Sequence, residues 1–425
     1  MKNDMMTTKK ALRILAGLLW AGTGAAVLAQ PPSAALRTLY SFSGGNDGLA
    51  PYATVTIGSG GRLYGTTFNG GRYQDGVLFS LTPPASAGGP WTQRVLHSFD
   101  GIDGGDPTGA VVFGPGGVLY GTTVGKTNYG GKPIDGTVFS LTPPSAPGGS
   151  WSHSVLYSFG DGFGPLGSLA VGSGGVLYGT TQIGGTYNQG TVFSLTPPAS
   201  PGGSWTETVL YSFGSDGKPG AGVAIGGGML YGAAGNSVFS LTPPASPDGA
   251  WTESVLYTFT GGLDGGGPGG LAIGSGPSGH PVLYGMTYEG GAGTCGIYGF
   301  GCGTVFSLTP PASPGGSWTE TVLHSFTDNP DGAIPYSGAG LSIGPNGVLY
   351  GTTELGGTSN DGTVFSLTPP ASHGGAWTET VLHSFTGADG SGPLSSPAIG
   401  RGGVLYGTTS AGGTANSGTV FSLKP

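Results

Sequence analysis

Charge is what this sequence has least of. Lys and Arg together number 13 and Asp and Glu 21 in 425 residues, a net charge of −8 at pH 7. A chain so poor in cations offers no basic stripe, which argues against nucleic acid and anionic lipid as partners. Cysteine is nearly absent, with Cys295 and Cys302 as the only pair, too few for a disulfide-framework fold or a Cys-rich zinc module. Beyond residue 29 no apolar run approaches the roughly 20 residues that span a bilayer, so no membrane span is expected in the mature chain. No phosphate loop, HExxH or Ser-centred elbow occurs, and neither a cofactor nor a metal is expected on that account.

Glycine, by contrast, is abundant at 93 residues. It has no period of three, and apolar runs return on schedule, so neither collagen nor disorder fits. Val, Thr, Tyr, Phe and Trp gather in short runs bounded by Gly and Pro, a strand-and-turn vocabulary. A Leu-Tyr-Gly core recurs at Tyr64, Tyr120, Tyr178, Tyr231, Tyr284, Tyr350 and Tyr406. The shortest interval, Tyr178 to Tyr231, is 53 residues and the longest, Tyr284 to Tyr350, is 66. A VFSL-type core ends at Leu81, Leu141, Leu195, Leu241, Leu308, Leu367 and Leu423. Seven units of this length are the period of a propeller blade.

Residues 1–29 read as a secretory signal peptide. Lys2, Lys9, Lys10 and Arg13 make a basic start, Ile14 to Leu28 an apolar core, and Val27 and Ala29 take the −3 and −1 places of a cut before Gln30. An uncleaved membrane anchor is the alternative reading of the same segment.

Each unit contains four strand-like runs, seen most clearly in the third. They are run A (Leu169–Gly172), run B (Val176–Thr181), run C (Thr191–Thr196) and run D (Trp205–Phe213). The chain opens with a lone run D, Leu36–Phe42, and closes with runs A, B and C ending at Leu423. Pairing those ends leaves no bare edge, whereas a solenoid would need dissimilar caps. The expectation is an all-β, seven-bladed β-propeller of four-stranded blades over residues 30–425, closed three-plus-one by the N-terminal strand. In that topology the D–A and B–C loops share a face. The C–D loop repeats almost unchanged (TPPASPGGSW at Thr309–Trp318) and reads as scaffold, while length varies in the B–C loops.

The unit GVLYGTT-x-x-GG-x(4)-GTVFSLTPP followed by VLYSF resembles the GloVer tandem repeat of exported bacterial proteins, over residues 36–425 and all seven copies. The resemblance implies an exported repeat protein and implies no activity. Members often end in a surface-anchoring tail, whereas this sequence stops at Lys424–Pro425, so free secretion or a periplasmic location is the expectation. The order of strand, GG, aromatic strand and Trp is also similar to kelch propellers, a likeness of fold.

Candidate chemistry sits in the D–A junctions, each with Asp-Gly and a Pro close behind. The aspartates are Asp47, Asp103, Asp161, Asp216, Asp264, Asp331 and Asp389. A ring of seven carboxylates suits a cation or polar ligand. The same residues also suit an Asx-type turn, which is the expected role because DGxxP offers one oxygen where a calcium loop offers several. Cys295 and Cys302 are expected to form a disulfide bracing the long B–C loop of the fifth repeat, and the aromatics between them, Tyr298 and Phe300, are the candidate binding residues on that face.

The histidines are not expected to assemble a site. His97, His324 and His383 replace the Tyr of VLYSF, and His153, His280 and His373 fall near edges and turns. Glu207, Glu253, Glu320 and Glu379 repeat in the run-D motif, where a solvated rim is the default reading. The non-repeated acids Glu289, Glu354 and Asp135 lie in different blades and make no glycosidase pair. Trp91, Trp151, Trp205, Trp251, Trp318 and Trp377 open run D and are each expected to pack on their own blade and the preceding Pro-rich loop. The expected function is therefore binding or adhesion, to a glycan or a cell-surface protein, through the D–A and B–C loops. A polysaccharide lyase or glycosidase, or a purely structural envelope protein, are the alternatives.

Overall fold

The structure, a computed structural model, describes residues 35–425 apart from residues 87, 126–134, 147, 161–163, 201, 216, 247–248, 277–280, 296–300, 314, 337, 339 and 373. It contains seven antiparallel sheets and no α-helix among the described residues. The third sheet orders its strands Pro165–Val171, Leu177–Thr181, Thr191–Thr196 and Thr206–Ser212 in sequence. The other blades repeat this meander, the fifth adding the short strand Gly266–Pro268 against Pro281–Glu289. The molecule is a seven-bladed β-propeller.

Closure follows the three-plus-one scheme. Strand Ala35–Ser41 pairs antiparallel with Thr419–Lys424, the third strand of the last blade, from Ala35 opposite Lys424 to Ser41 opposite Thr419. First and last repeats are thereby joined by backbone hydrogen bonds, and the sheet keeps no half-formed edge.

The core is a set of seven wedges between neighbouring blades rather than a single centre. Across every boundary the last Phe of strand D meets the Phe of the next blade's strand C edge to face. The pairs are Phe42–Phe79, Phe99–Phe139, Phe159–Phe193, Phe213–Phe239, Phe259–Phe306, Phe326–Phe365 and Phe385–Phe421, with centroids 4.8 to 5.3 Å apart. Edge-to-face geometry sets the positive ring edge against the negative face.

The Gly of each LYG lies beneath that strand-C ring. A Cβ at Gly351 would stand 2.5 Å from Cζ of Phe365, so no larger residue fits without moving the ring. The first Thr of GTT hands a hydrogen bond to the next blade's innermost segment, as Thr122 does to the Gly167 carbonyl at 2.9 Å and Thr408 to that of Ala53, just ahead of strand Thr56–Ile57, at 2.9 Å. The second Thr pairs within the blade, as Thr353 does with Thr363 at 2.9 Å.

The tryptophans pack on their own blades as expected, Trp151 against Leu119, Phe139 and Leu141 for instance, but they also reach further. Each reaches the LYG tyrosine of the preceding blade, from Trp151 on Tyr64 at 5.7 Å to Trp318 on Tyr231 at 6.4 Å. They are inter-blade clamps. The twist of a blade swings the start of its outermost strand over its neighbour, which a linear reading of the repeat does not show.

Candidate binding face and axial shaft

The D–A and B–C loops lie against one another, bridged at Leu49–Asn69, Ala333–Leu355 and Ser391–Ala411. Of the seven junction aspartates, Asp47, Asp103, Asp264, Asp331 and Asp389 are described, while Asp161 and Asp216 fall outside the described residues. Each described carboxylate closes the turn after strand D and caps that strand's Tyr or His. Asp331 accepts from the Thr327 backbone N–H and hydroxyl at 3.0 and 2.8 Å and contacts His324 Nε2 at 3.0 Å. Asp47 accepts from the Tyr40 hydroxyl at 2.9 Å and the Ser43 N–H at 2.8 Å.

Burial opposes the charge on these groups, yet their donors hold Asp47, Asp103, Asp264 and Asp331 below the usual carboxylate range. The glycine that follows must take positive φ, 112° at Gly48, where a Cβ would meet the Thr67 side chain at 2.5 Å. The geometry is that of the Asx-type turn.

The structure also brings histidines together. His97, from the first blade's strand D, contacts Asp103 at 2.7 Å and stacks on His153 of the second blade, with centroids 4.0 Å apart and planes within 5°. Burial, then the neighbouring His97 charge, pushes the His153 imidazole down to about 4. Sequence reasoning separated these residues because it followed each repeat alone. The available signal was the departure at His153, which occupies the place held by Glu207, Glu253, Glu320 and Glu379 in other blades.

Those glutamates are not simply solvated. Burial, then the Asp264 charge, raises Glu320 to about 7; burial likewise raises Glu379 to about 7, with Asp331 adding to the rise and His324 opposing it. Oε1 of each is buried without a hydrogen-bond partner. A folded pKa above the ordinary 4.5 means the protonated form is favoured on folding, so stability is lost as pH rises from about 4.5 to about 7. Blade one carries Gln93 here, whose Nε2 donates to the Asp47 carbonyl at 3.2 Å. Replacing Glu320 and Glu379 together by Gln should raise the melting temperature by about 2 °C at pH 8 and leave it unchanged at pH 4.5. Equal shifts at both pH values in a thermal scan would refute the assignment.

Cys295 and Cys302 form the disulfide. Both are buried, packed with Phe326, Leu349 and Phe365 between the fifth and sixth blades, so the bond anchors its loop into a wedge of the core. Tyr298 and Phe300, between the cysteines, lie outside the described residues, as do His280 and His373.

The innermost strands surround an axial shaft of about 150 Å³, lined among others by Tyr52, Thr54, Thr108, Leu166, Ser168, Tyr336, Leu394 and Ser395. Tyr52 stacks on Phe68 at 4.7 Å and 12°, and both belong to the D–A/B–C side. Burial raises the Tyr52 hydroxyl pKa, with the charges of Glu354 and Asp106 adding to it; Tyr336 is raised by burial, then by Tyr52, Glu354 and Tyr288. Burial also raises Glu354. The hydroxyls of Thr54, Thr108 and Ser395 are buried along this shaft with no hydrogen-bond partner in the protein.

Of the non-repeated acids, Glu354 thus stands near the shaft mouth. Glu289 lies beside Gly266 in the fifth blade, and Asp135 faces Ser158 on the second blade's strand D at 3.4 Å. The shaft escaped sequence reasoning because its lining takes residues from six repeats, at positions where the units differ. Among the described residues no helix is long and apolar enough to cross a membrane.

No curated protein matches the chain. Among solved structures it is similar to a glucose dehydrogenase at 16% identity, covering 92% of this chain and 99% of that one with a TM-score of 0.43. It is similar to a candidate 6-phosphogluconolactonase of Bacteroides fragilis NCTC 9343 at 16% identity, covering 81% and 86% with a TM-score of 0.49. A luciferin-regenerating enzyme is similar at 13% identity, covering 81% and 98% with a TM-score of 0.44. Likenesses this loose carry no argument about activity. The model described as the Gloeobacter/Verrucomicrobia repeat, in contrast, matches residues 20–238 and 235–421. The chain belongs to that repeat family.

Proposed function

We propose that this protein is an exported, non-enzymatic binding module that takes a glycan on its D–A/B–C face, at the mouth of the axial shaft. The observation that carries the reading is the shaft wall itself, where Thr54, Thr108 and Ser395 hold buried hydroxyls without partners beside the flat rings of Tyr52 and Tyr336. A sugar offers the matching surface, with C–H faces for the aromatics and hydroxyls for the wall. Exposed Tyr73 and Tyr187 extend the aromatic surface outward, and Tyr298 and Phe300 are added on sequence grounds. Export rests on the basic and apolar pattern of residues 1–29 and is supported by the disulfide.

The test is retention of purified residues 30–425 on a glycan and polysaccharide panel, with bound and cleaved material both measured. Retention without cleavage, weakened about fivefold or more by Tyr52→Ala or Tyr336→Ala, is expected, since losing an aromatic contact of about 1 kcal/mol is about fivefold in affinity. Retention indifferent to both variants would remove the shaft mouth from the proposal. A polysaccharide-cleaving enzyme is the second reading, favoured by Glu354, raised by burial, and by Asp106, since both charges act on Tyr52. It requires cleavage that Glu354→Gln abolishes.

A further inference from the structure

We propose that His97, Asp103 and His153 form a binding site for a divalent transition cation, of the zinc type, at the boundary between the first and second blades. The three side chains each bring a ligand atom, and these atoms all lie within 4.8 Å of one another. His97 Nε2 is 2.7 Å and His153 Nδ1 is 3.7 Å from the same oxygen, Asp103 Oδ2. Zinc bound at about 2.0–2.1 Å in a tetrahedron holds adjacent donors about 3.3 Å apart. The two observed separations bracket that value, and the remaining one, between the two ring nitrogens, is within 4.8 Å. Because ring lone pairs lie in the ring planes, which are parallel in the stack, binding requires the two imidazoles to turn out of their stack so that both planes meet at the ion. Side-chain exposures of 20%, 22% and 11% leave the group sheltered yet open to solvent on one side, where water completes the shell. Two imidazoles and a carboxylate suit zinc, cobalt or nickel and disfavour calcium and magnesium.

A second observation sets this boundary apart. The position of His97 is filled by Tyr40, Tyr157, Tyr211 and Tyr257 or by His324 and His383 elsewhere, and that of His153 by Leu36, Gln93 or a glutamate. Both become imidazole at this boundary alone. The ring closes without that combination at the other boundaries, so folding does not demand it. His153 Nε2 is buried and has no hydrogen-bond partner, so the only charged group beside this ring's nitrogens in the cluster is the Asp103 carboxylate near Nδ1.

The repeats also supply the test variants. His153→Gln installs the residue blade one uses at this place, and His97→Tyr the residue that bonds to Asp47 through Tyr40. Both are compatible with the fold while removing a nitrogen ligand. Chelator-treated protein should bind zinc one to one in calorimetry, gain a visible d–d spectrum with cobalt, and melt at a higher temperature with zinc present. Either substitution should weaken zinc at least about tenfold and abolish the cobalt spectrum, while His324→Gln leaves both unchanged. Absence of one-to-one zinc binding, or binding that survives both His153→Gln and His97→Tyr, overturns the proposal. Should a variant fail to fold, the cobalt titration of the unmodified protein decides alone, because a spectrum without nitrogen ligation is incompatible with this site.

Discussion

Removing the chain through Phe42 is expected to lower the melting temperature by about 10 °C or more, or to leave no soluble protein. The deleted strand carries the ladder from Ala35 opposite Lys424 to Ser41 opposite Thr419, and without it Thr419–Lys424 becomes a bare edge. It also carries Phe42, wholly buried against Phe79 of the first blade at 5.2 Å, and the mostly buried Leu39. Loss of a buried Phe alone costs about 3–5 kcal/mol and of a Leu about 2–5 kcal/mol. Arg37, whose guanidinium donates to the Gly88 and Gly89 carbonyls at 3.1 and 2.6 Å, adds an exposed contact of small value. Differential scanning calorimetry of the truncated and full chains makes the comparison. An unchanged transition would mean that the ring does not depend on this strand.

Phe365→Ala is expected to cost about 3–5 kcal/mol. The ring lies between Gly351 beneath it and Phe326 across the blade boundary at 5.2 Å, and it is fully buried in the same wedge as the disulfide. Gly351→Ala should cost about 1–3 kcal/mol for the opposite reason, overpacking, since its Cβ would stand 2.5 Å from the ring. The pair should be non-additive: in the double variant the methyl at 351 enters space that the missing ring has vacated. Its cost should therefore fall below the sum of the two single costs by about 1 kcal/mol or more. Denaturant titration of the four proteins reads this directly, and full additivity would show that Gly351 and Phe365 do not oppose one another.

Much of this architecture is legible in the residues. Gly, Thr, Phe and Trp recur at fixed places because every blade meets the same local demands. The tight D–A turn needs Asp and a positive-φ Gly, the strand-C ring needs an adjacent Gly, and the inter-blade hydrogen bond needs the first Thr of GTT. The expectation for the tryptophans covered their own blades but omitted their second partner, the neighbouring blade's tyrosine, because that residue belongs to a different repeat. Glu320 and Glu379 read as solvated for the same reason: the aspartates that act on them, Asp264 and Asp331, follow strand D of the blade before.

The sequence by itself determined the period, the four strands of each unit and the closure. Those follow from local hydrogen-bonding and apolar periodicity, and from the need to cover two complementary ends. Only the tertiary structure decided which residues of different repeats meet: Trp on tyrosine, His153 on His97 and Asp103, and segments of six repeats around Tyr52, Tyr336 and the shaft. Such contacts join positions some fifty or more residues apart. They are set by the angle at which one twisted blade packs on the next, and strand patterning within a repeat carries no information about that angle.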